Sequence, residues 1–99
     1  MRVRTAIFSL ALLLLLSMTL WASTGASLYK SKCAGCHGAN GEGKPATKTP
    51  ALKGISLDAS QIADKVTKGA PASKAPHNKP MHGIKRDQAT AIGDYVKTL

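Results

Sequence analysis

The longest apolar stretch of the chain lies near its start. Residues 6–20 are uncharged and mostly apolar, they follow the basic residues Arg2 and Arg4, and small residues occupy 22–26. A basic start, an apolar centre and a small-residue end, in this order, are typical of a secretory signal peptide. No charge occurs between Arg4 and Lys30, so the stretch is also long enough to stay in a membrane as an anchor.

This segment sets the domain boundary. We predict cleavage after Ala22, so that 1–22 is the signal peptide and 23–99 is the exported domain. Retention of 1–22 as an anchor is the alternative. A helix that begins near Thr24 would leave an anchored domain almost no linker to the membrane, and this favours cleavage.

Three segments of the exported domain have helical patterns. The first covers 25–36, and the third covers 86–99. The second covers 58–68, where Ile62 and Val66 lie four residues apart on one face.

Further signals mark the second and third of these helices. Asp58 and Gln61 have the spacing of a capping box, and Gly69 is a suitable C-terminal stop. The third helix has an apolar stripe at helical spacing, formed by Ile92, Tyr95, Val96 and Leu99.

The segments between the predicted helices have the composition of loops. Residues 38–54 are rich in Gly, Pro, Lys and Thr, and 70–83 contains Pro71, Pro76 and Pro80. The sequence contains no strand pattern and no internal repeat. It therefore predicts an all-α domain with three main helices.

Size and charge narrow the possible functions. The 99 residues allow one domain, with a formal net charge of +9. A basic balance suits nucleic acid, anionic membranes or acidic protein partners, and export argues against nucleic acid. So short a chain, with few large apolar residues after the signal, needs a cofactor, metal or disulfide to complete its core.

The chain's two cysteines belong to one motif. Cys33 and Cys36 are followed directly by His37, which gives the pattern C-x-x-C-H. This is the attachment pattern of c-type haem. On one helical turn both thiols can form thioethers with the haem vinyl groups, and the adjacent imidazole can bind the iron. We therefore predict one covalently attached haem, with His37 as an iron ligand.

Two other cysteine chemistries fit this motif less well. A thioredoxin-type redox pair requires a βαβ unit and a longer chain. A zinc site formed by Cys33, Cys36, His77 and His82 has acceptable spacing within each pair, but the gap between the pairs is far larger than in compact zinc fingers.

Residues around the motif extend it into a family pattern. Gly25 and Tyr29 precede Cys33 by eight and four residues, and three glycines follow His37, at Gly38, Gly41 and Gly43. With these residues the exported domain resembles the class I cytochromes c, in particular the small bacterial members that carry one haem. The resemblance implies a small cytochrome c fold wrapped around the haem. It also implies that the first and last helices meet through Gly25, Tyr29, Ile92 and Tyr95.

The same resemblance assigns roles to Pro50 and Leu52, which match the P-x-L segment of the family. It implies that the Pro50 carbonyl accepts a hydrogen bond from the second ring nitrogen of His37, which orients the ring and raises its basicity. It implies that Leu52 packs on the haem edge. A simple turn proline is the alternative for Pro50.

The resemblance further implies that Met81 is the sixth iron ligand. Met81 lies in a Pro-Met-His-Gly loop ahead of the last helix. The chain departs from the family at His82, where proline is usual, and at Lys85, where a Ser or Thr cap is common. The alternative is that Met81 only fills the haem pocket, while His77 or His82 binds the iron or leaves the position open.

Iron held by His37 and Met81 has no open position for a substrate, which favours one-electron transfer over catalysis. We therefore predict a monomeric electron carrier rather than an enzyme, in the periplasm or another extracytoplasmic space. Its partners would be acidic redox proteins, and it would contact a membrane only if 1–22 is retained. Candidate lysines for steering toward such partners are Lys32, Lys44, Lys74 and Lys79.

The sequence also allows two other functions. One is a haem-based ligand-binding or sensing protein with a labile sixth ligand. The other is a membrane-anchored electron-transfer subunit of a larger oxidoreductase.

Overall fold

The computed structural model describes residues 25–99. Within this range the regular elements are helices: α1 covers 25–32, α2 covers Ala34–His37, α3 covers Ala59–Lys68, α4 covers Arg86–Val96, and a 3₁₀ turn covers Pro45–Thr47. The all-α prediction is confirmed. None of the helices in this range is long and apolar enough to cross a bilayer. The predicted signal peptide at 1–22 and the Thr24 helix start lie outside the described residues.

The predicted first helix is present as two pieces, α1 and α2, with a turn at Cys33 between them. Helical backbone bonding continues through this turn. The N–H of Cys33 donates to the Tyr29 carbonyl at 2.8 Å, and the N–H of His37 donates to the Cys33 carbonyl at 2.9 Å. The two pieces therefore follow one helical path.

Helix α3 begins with the predicted capping box. The N–H of Gln61 donates to Asp58 Oδ1 at 2.8 Å, and the N–H of Asp58 donates to Gln61 Oε1 at 2.9 Å. These two bonds satisfy backbone donors that have no partner inside the helix. The last helical residue is Lys68, and the capping residue Gly69 has a φ of 73°, in the region that favours glycine.

Helix α4 begins after Lys85, as predicted, and is shorter than predicted at its other end. The N–H of Lys85 donates to Gln88 Oε1 at 2.8 Å, which supplies one half of a capping box. The helix ends at Val96, and Leu99 lies beyond it. Leu99 is partly buried and still packs against the core.

Tyr29, Ile62, Ile92 and Val96 form the main core, which joins α1, α3 and α4. Tyr29 is 1 % exposed, and its ring lies 5.3 Å from that of Tyr95 between ring centres. A Cβ at Gly25 would lie 2.4 Å from the Ala91 carbonyl oxygen, so only glycine allows α1 to approach α4 this closely. The predicted meeting of the first and last helices is confirmed.

A second cluster lies between α3 and α4 and is defined by Ala63, Val66 and Ala89. Met81 and Ile84, from the loop that precedes α4, pack against it. At the surface, the Arg86 guanidinium donates to the carboxylate of Asp64 and ties the start of α4 to α3. This second cluster fixes the end of the loop that carries the predicted sixth ligand.

Candidate cofactor site

The C-x-x-C-H motif lies where α1 passes into α2. The N–H groups of Cys36 and His37 both donate to the Cys33 carbonyl, at 3.2 and 2.9 Å. The three side chains therefore leave the backbone within one helical turn. Both cysteines are free thiols, with Cys33 half-buried and Cys36 exposed. Two unlinked thiols on one turn are available for two thioether bonds.

The environment of Cys33 keeps its sulfur uncharged. Burial, followed by the neighbouring Cys36, raises the pKa of the Cys33 thiol to about 11. The thiol is therefore protonated at neutral pH. Because the thiolate is the nucleophile in disulfide exchange, Cys33 reacts poorly in that chemistry. A thioredoxin-type pair also requires a βαβ unit, and the regular elements within residues 25–99 are helices, so the structure argues against that role.

The ring of His37 is buried and held by Pro50. His37 is 8 % exposed, and its Nδ1 lies 2.9 Å from the Pro50 carbonyl oxygen. Because a carbonyl oxygen only accepts, Nδ1 carries a proton and donates it. In the neutral ring the lone pair is then on Nε2, the nitrogen that remains available to a metal.

Backbone hydrogen bonds fold the next loop back onto α2 and bring Pro50 to His37. The N–H of Gly43 donates to the His37 carbonyl at 2.6 Å. Lys44 and Thr49 exchange two backbone bonds of 3.1 Å each, on either side of the 3₁₀ turn. This narrow return of the chain places the Pro50 carbonyl beside the imidazole.

Leu52 lies where this loop meets the main core. Its N–H donates to the Gly41 carbonyl at 2.8 Å, and its partly buried side chain packs against the main core. Pro50 and Leu52 thus lie on the same short segment. The Pro50 carbonyl contacts His37, and the Leu52 side chain contacts the main core.

Met81 is half-buried and packs against the second cluster of Ala63, Val66 and Ala89. Its N–H donates to the Val66 carbonyl at 2.9 Å, so its backbone is fixed to α3. The next residue, His82, is exposed. Of the two neighbours, only Met81 is packed into the protein.

His77 lies beside His37, a relationship that helical periodicity did not predict. The two ring centres are 5.9 Å apart, with an angle of 31° between the ring planes. Burial of the ring, then His37 and Lys65, lower the pKa of His77. The sequence signal for this residue is only the presence of a histidine in the loop ahead of Met81.

The zinc site considered from the sequence does not form. Within residues 25–99 no three His, Cys, Asp or Glu side chains are grouped so as to hold a metal ion by themselves. The structure therefore does not bring Cys33, Cys36, His77 and His82 together as a four-ligand set. A metal bound by His37 would therefore need a cofactor that supplies most of the metal's other ligands.

The residues present fit such a cofactor. Cys33 and Cys36 offer two thiols for attachment, and His37 offers Nε2 with its other nitrogen already bonded to Pro50. The buried Nδ1 of His77 has no hydrogen-bond partner within the described part of the chain. Orphaned polar atoms of this kind indicate a missing ligand, ion or water.

The lysines singled out from the sequence are all exposed: Lys32, Lys44, Lys74 and Lys79. Lys44 is the one that the structure joins to the motif. Its Nζ donates to the Gly35 carbonyl at 2.8 Å, which places a positive charge next to the backbone between the two cysteines.

The family model described as Cytochrome c matches residues 22–99. Neither the search of curated proteins nor the search of solved structures gave a match.

Proposed function

Because the chain belongs to the cytochrome c family, whose members bind covalent haem c and carry electrons, we propose that it is a one-electron carrier with His37 and Met81 as axial ligands. The haem would be attached at Cys33 and Cys36. The observation that carries this proposal is the single helical turn that presents both free thiols and the buried imidazole of His37.

Pro50 supports the assignment of His37. Its carbonyl accepts from Nδ1 at 2.9 Å, so the ring has a fixed orientation and a fixed tautomer before any metal binds. A histidine oriented in this way is a stronger electron donor through Nε2. In the proposed site Pro50 therefore positions the ligand, and Leu52 covers the cofactor edge from the same segment.

Met81 is supported as the sixth ligand by its position in the loop ahead of α4 and by its packing. The Val66 carbonyl holds its backbone, and the second cluster covers part of its side chain. Because this loop is packed against the protein, the Met81 sulfur can reach only a small range of positions. In the proposed site Met81 is therefore the resident sixth ligand.

The bound haem supplies the one-electron redox couple, and this chain's residues determine its access and potential. With His37 and Met81 as its ligands, the iron would have no open position for a substrate, which favours electron transfer over catalysis. Partner binding would rest on the basic surface, with Lys44 at the attachment turn and Lys32, Lys74 and Lys79 as further candidates. Acidic redox proteins are the matching partners.

The family and the N-terminal sequence support an extracytoplasmic location. Cytochrome c domains are generally extracytoplasmic, and the N-terminal sequence has the order of an export signal. We place the protein in the periplasm or an equivalent compartment, with 23–99 as the exported monomeric domain.

Optical spectroscopy of the haem-loaded protein tests the carrier proposal against the sensing alternative. The ferric protein should show the weak far-red absorption of a sulfur–iron bond, and the ferrous protein should bind carbon monoxide slowly and weakly. A wild-type protein that lacks the far-red band and binds carbon monoxide readily would instead support a sensing function. Intact mass of the isolated protein tests cleavage after Ala22 and addition of one haem.

A further inference from the structure

His77 lies beside His37, the proposed ligand of the haem iron. Its ring centre is 5.9 Å from that of His37. A metal–imidazole bond is about 2 Å long and a ring nitrogen lies about 1 Å from the ring centre, so two imidazoles on opposite sides of one metal have centres about 6 Å apart. The observed separation is close to this value, so both rings are within reach of one iron.

A ring nitrogen of His77 also lacks a partner. Its Nδ1 is buried, and it neither accepts nor donates a hydrogen bond within residues 25–99. A buried polar atom in this state costs free energy that a ligand bond would recover. Nδ1 and Nε2 are both known as metal-binding atoms of histidine.

The backbone keeps His77 in this position. Its N–H donates to the Lys74 carbonyl at 3.0 Å, and its own carbonyl accepts from the N–H of Ala70 at 2.7 Å. Ala70 follows directly on the Gly69 that ends α3, so the turn that carries His77 is tied to the end of that helix. His82, the other histidine of this loop, is exposed. The two histidines of this loop thus differ in burial, since His77 is partly buried and His82 is exposed.

His77 and Met81 are attached to the fold independently. The turn of His77 is bonded to Ala70, whereas Met81 is bonded to Val66 on α3. Either side chain can therefore change position while the backbone bonds of the other are kept. Only one of them can occupy the sixth position of the iron at a time.

We propose that His77 is the replacement sixth ligand of the haem iron, which binds when Met81 is absent or released. The proposal rests on the proposed function, in which Met81 is the resident ligand. In the exchange the bond from Met81 Sδ to iron breaks and a bond from a neutral His77 nitrogen forms, with no electron gained or lost. Because thioethers favour ferrous and imidazoles favour ferric iron, the replacement is strongest in the ferric protein.

The test compares three variants of the haem-loaded protein. Met81→Ala removes the resident ligand, Met81→Ala with His77→Asn removes both, and Met81→Ala with His82→Asn removes the exposed histidine as a matched control. Ferric spin state is read by electron paramagnetic resonance and visible absorption. Met81→Ala and the His82 control should be low-spin with two imidazole ligands, and the His77 double variant should be high-spin.

Carbon monoxide binding to the ferrous variants gives a second readout. If His77 fills the sixth position nine-tenths of the time, removing it should raise the apparent affinity about tenfold over Met81→Ala. Added free imidazole should return the His77 double variant to the low-spin state, which shows that its sixth position is open, and far-ultraviolet circular dichroism shows that the domain is folded. A high-spin Met81→Ala protein, or a low-spin His77 double variant, would overturn the proposal.

His77→Asn in the presence of Met81 separates this proposal from the proposed function. It should keep the low-spin state and the far-red band of the wild type. Loss of the low-spin state in this single variant would overturn the replacement role, because His77 would then be the resident ligand. A wild type without the far-red band contradicts Met81 ligation itself and is recognised without any His77 variant.

Discussion

The Nδ1 atom of His37 and the carbonyl oxygen of Pro50 are 2.9 Å apart. This hydrogen bond closes the loop between the attachment turn and the P-x-L segment, so two separate parts of the sequence form one site. It also determines which nitrogen of His37 can bind a metal. The loop therefore fixes the orientation of the His37 ring. The backbone hydrogen bonds between Lys44 and Thr49 hold the loop in this conformation.

Removal of both cysteines should abolish haem attachment. Cys33→Ala with Cys36→Ala is expected to leave a largely unfolded chain, because the small core formed by Tyr29, Ile62, Ile92 and Val96 cannot offset the ordering entropy without the cofactor. Haem stain after denaturation, intact mass and far-ultraviolet circular dichroism measure the outcome. Each single cysteine variant is the control, since one thioether can still form. A folded double variant without haem would contradict the role of the cofactor in folding.

Gly93→Ala should destabilise the protein although it raises helix propensity. In an open helix the exchange stabilises by about 1 kcal/mol. Here the added Cβ would lie 2.4 Å from the Ala59 carbonyl oxygen, and forcing helices apart in this way costs about 1–3 kcal/mol. We expect a net loss in denaturant unfolding of the haem-loaded protein.

Gly35→Ala is the matched control for this steric argument. Gly35 lies in α2, and a Cβ there would meet no atom within 4 Å. Its substitution should be neutral or slightly stabilising. If Gly93→Ala proves as stable as Gly35→Ala, the close approach of α3 and α4 is not required for the fold.

The local parts of this structure could be predicted from the residues alone, and the family resemblance added two long-range contacts, that of His37 with Pro50 and that of the first helix with the last. The position of the loop that carries His77 could not be predicted. The capping pair of Asp58 and Gln61 marks α3 because its two bonds connect residues three positions apart. The approach of His77 to His37 depends on how an irregular loop folds over the molecule. Periodicity carries no information about such a loop, and the family pattern assigns no role to this histidine.

The ion pair of Asp64 and Arg86 should make part of the stability depend on acid pH. The hydrogen bond from Arg86, with a further contribution from Lys68, holds the pKa of the Asp64 carboxyl below its usual value. A depressed folded-state pKa gives stability that is present above the unfolded pKa and is lost as pH falls through the folded one. Asp64→Asn should therefore reduce the stability difference between neutral and acid pH.

Thermal unfolding between neutral pH and pH 3 measures this effect. Asp94→Asn is the control, because the exposed Asp94 forms no salt bridge within residues 25–99. An equal acid dependence in both variants would show that the ion pair at Asp64 is too solvated to contribute. Surface ion pairs often contribute little to stability, so the comparison of the two variants measures whether this pair contributes.

Electron transfer to anionic partners should slow as salt rises. The proposed exported domain 23–99 has 12 basic and 5 acidic side chains, and its net charge of +7 acts through a field that is screened within about 10 Å at 0.1 M salt. Oxidation by ferricyanide should therefore slow with ionic strength, whereas oxidation by a cationic cobalt(III) complex should become faster. Stopped-flow absorption measures both rates.

Lys44 allows this effect to be located on the surface. Its Nζ bonds to the Gly35 carbonyl beside the attachment turn, whereas Lys68 lies on α3 and pairs with Asp64. Lys44→Gln should reduce the rate with ferricyanide more than Lys68→Gln does. Equal effects would mean that total charge alone steers the partner.

Replacing Met81 by His should lower the reduction potential and keep the iron six-coordinate. A thioether stabilises ferrous iron more than an imidazole does, and axial ligands together span a range of roughly 0.8 V. Potentiometric titration of wild type and Met81→His measures the shift, and His82→Asn, at the exposed neighbour, is the control that should leave the potential nearly unchanged. The far-red band should disappear in Met81→His alone. A Met81→His protein with the wild-type potential and spectrum would show that the side chain at 81 does not reach the iron, and the packing of Met81 against Ala63, Val66 and Ala89 would then be its only role.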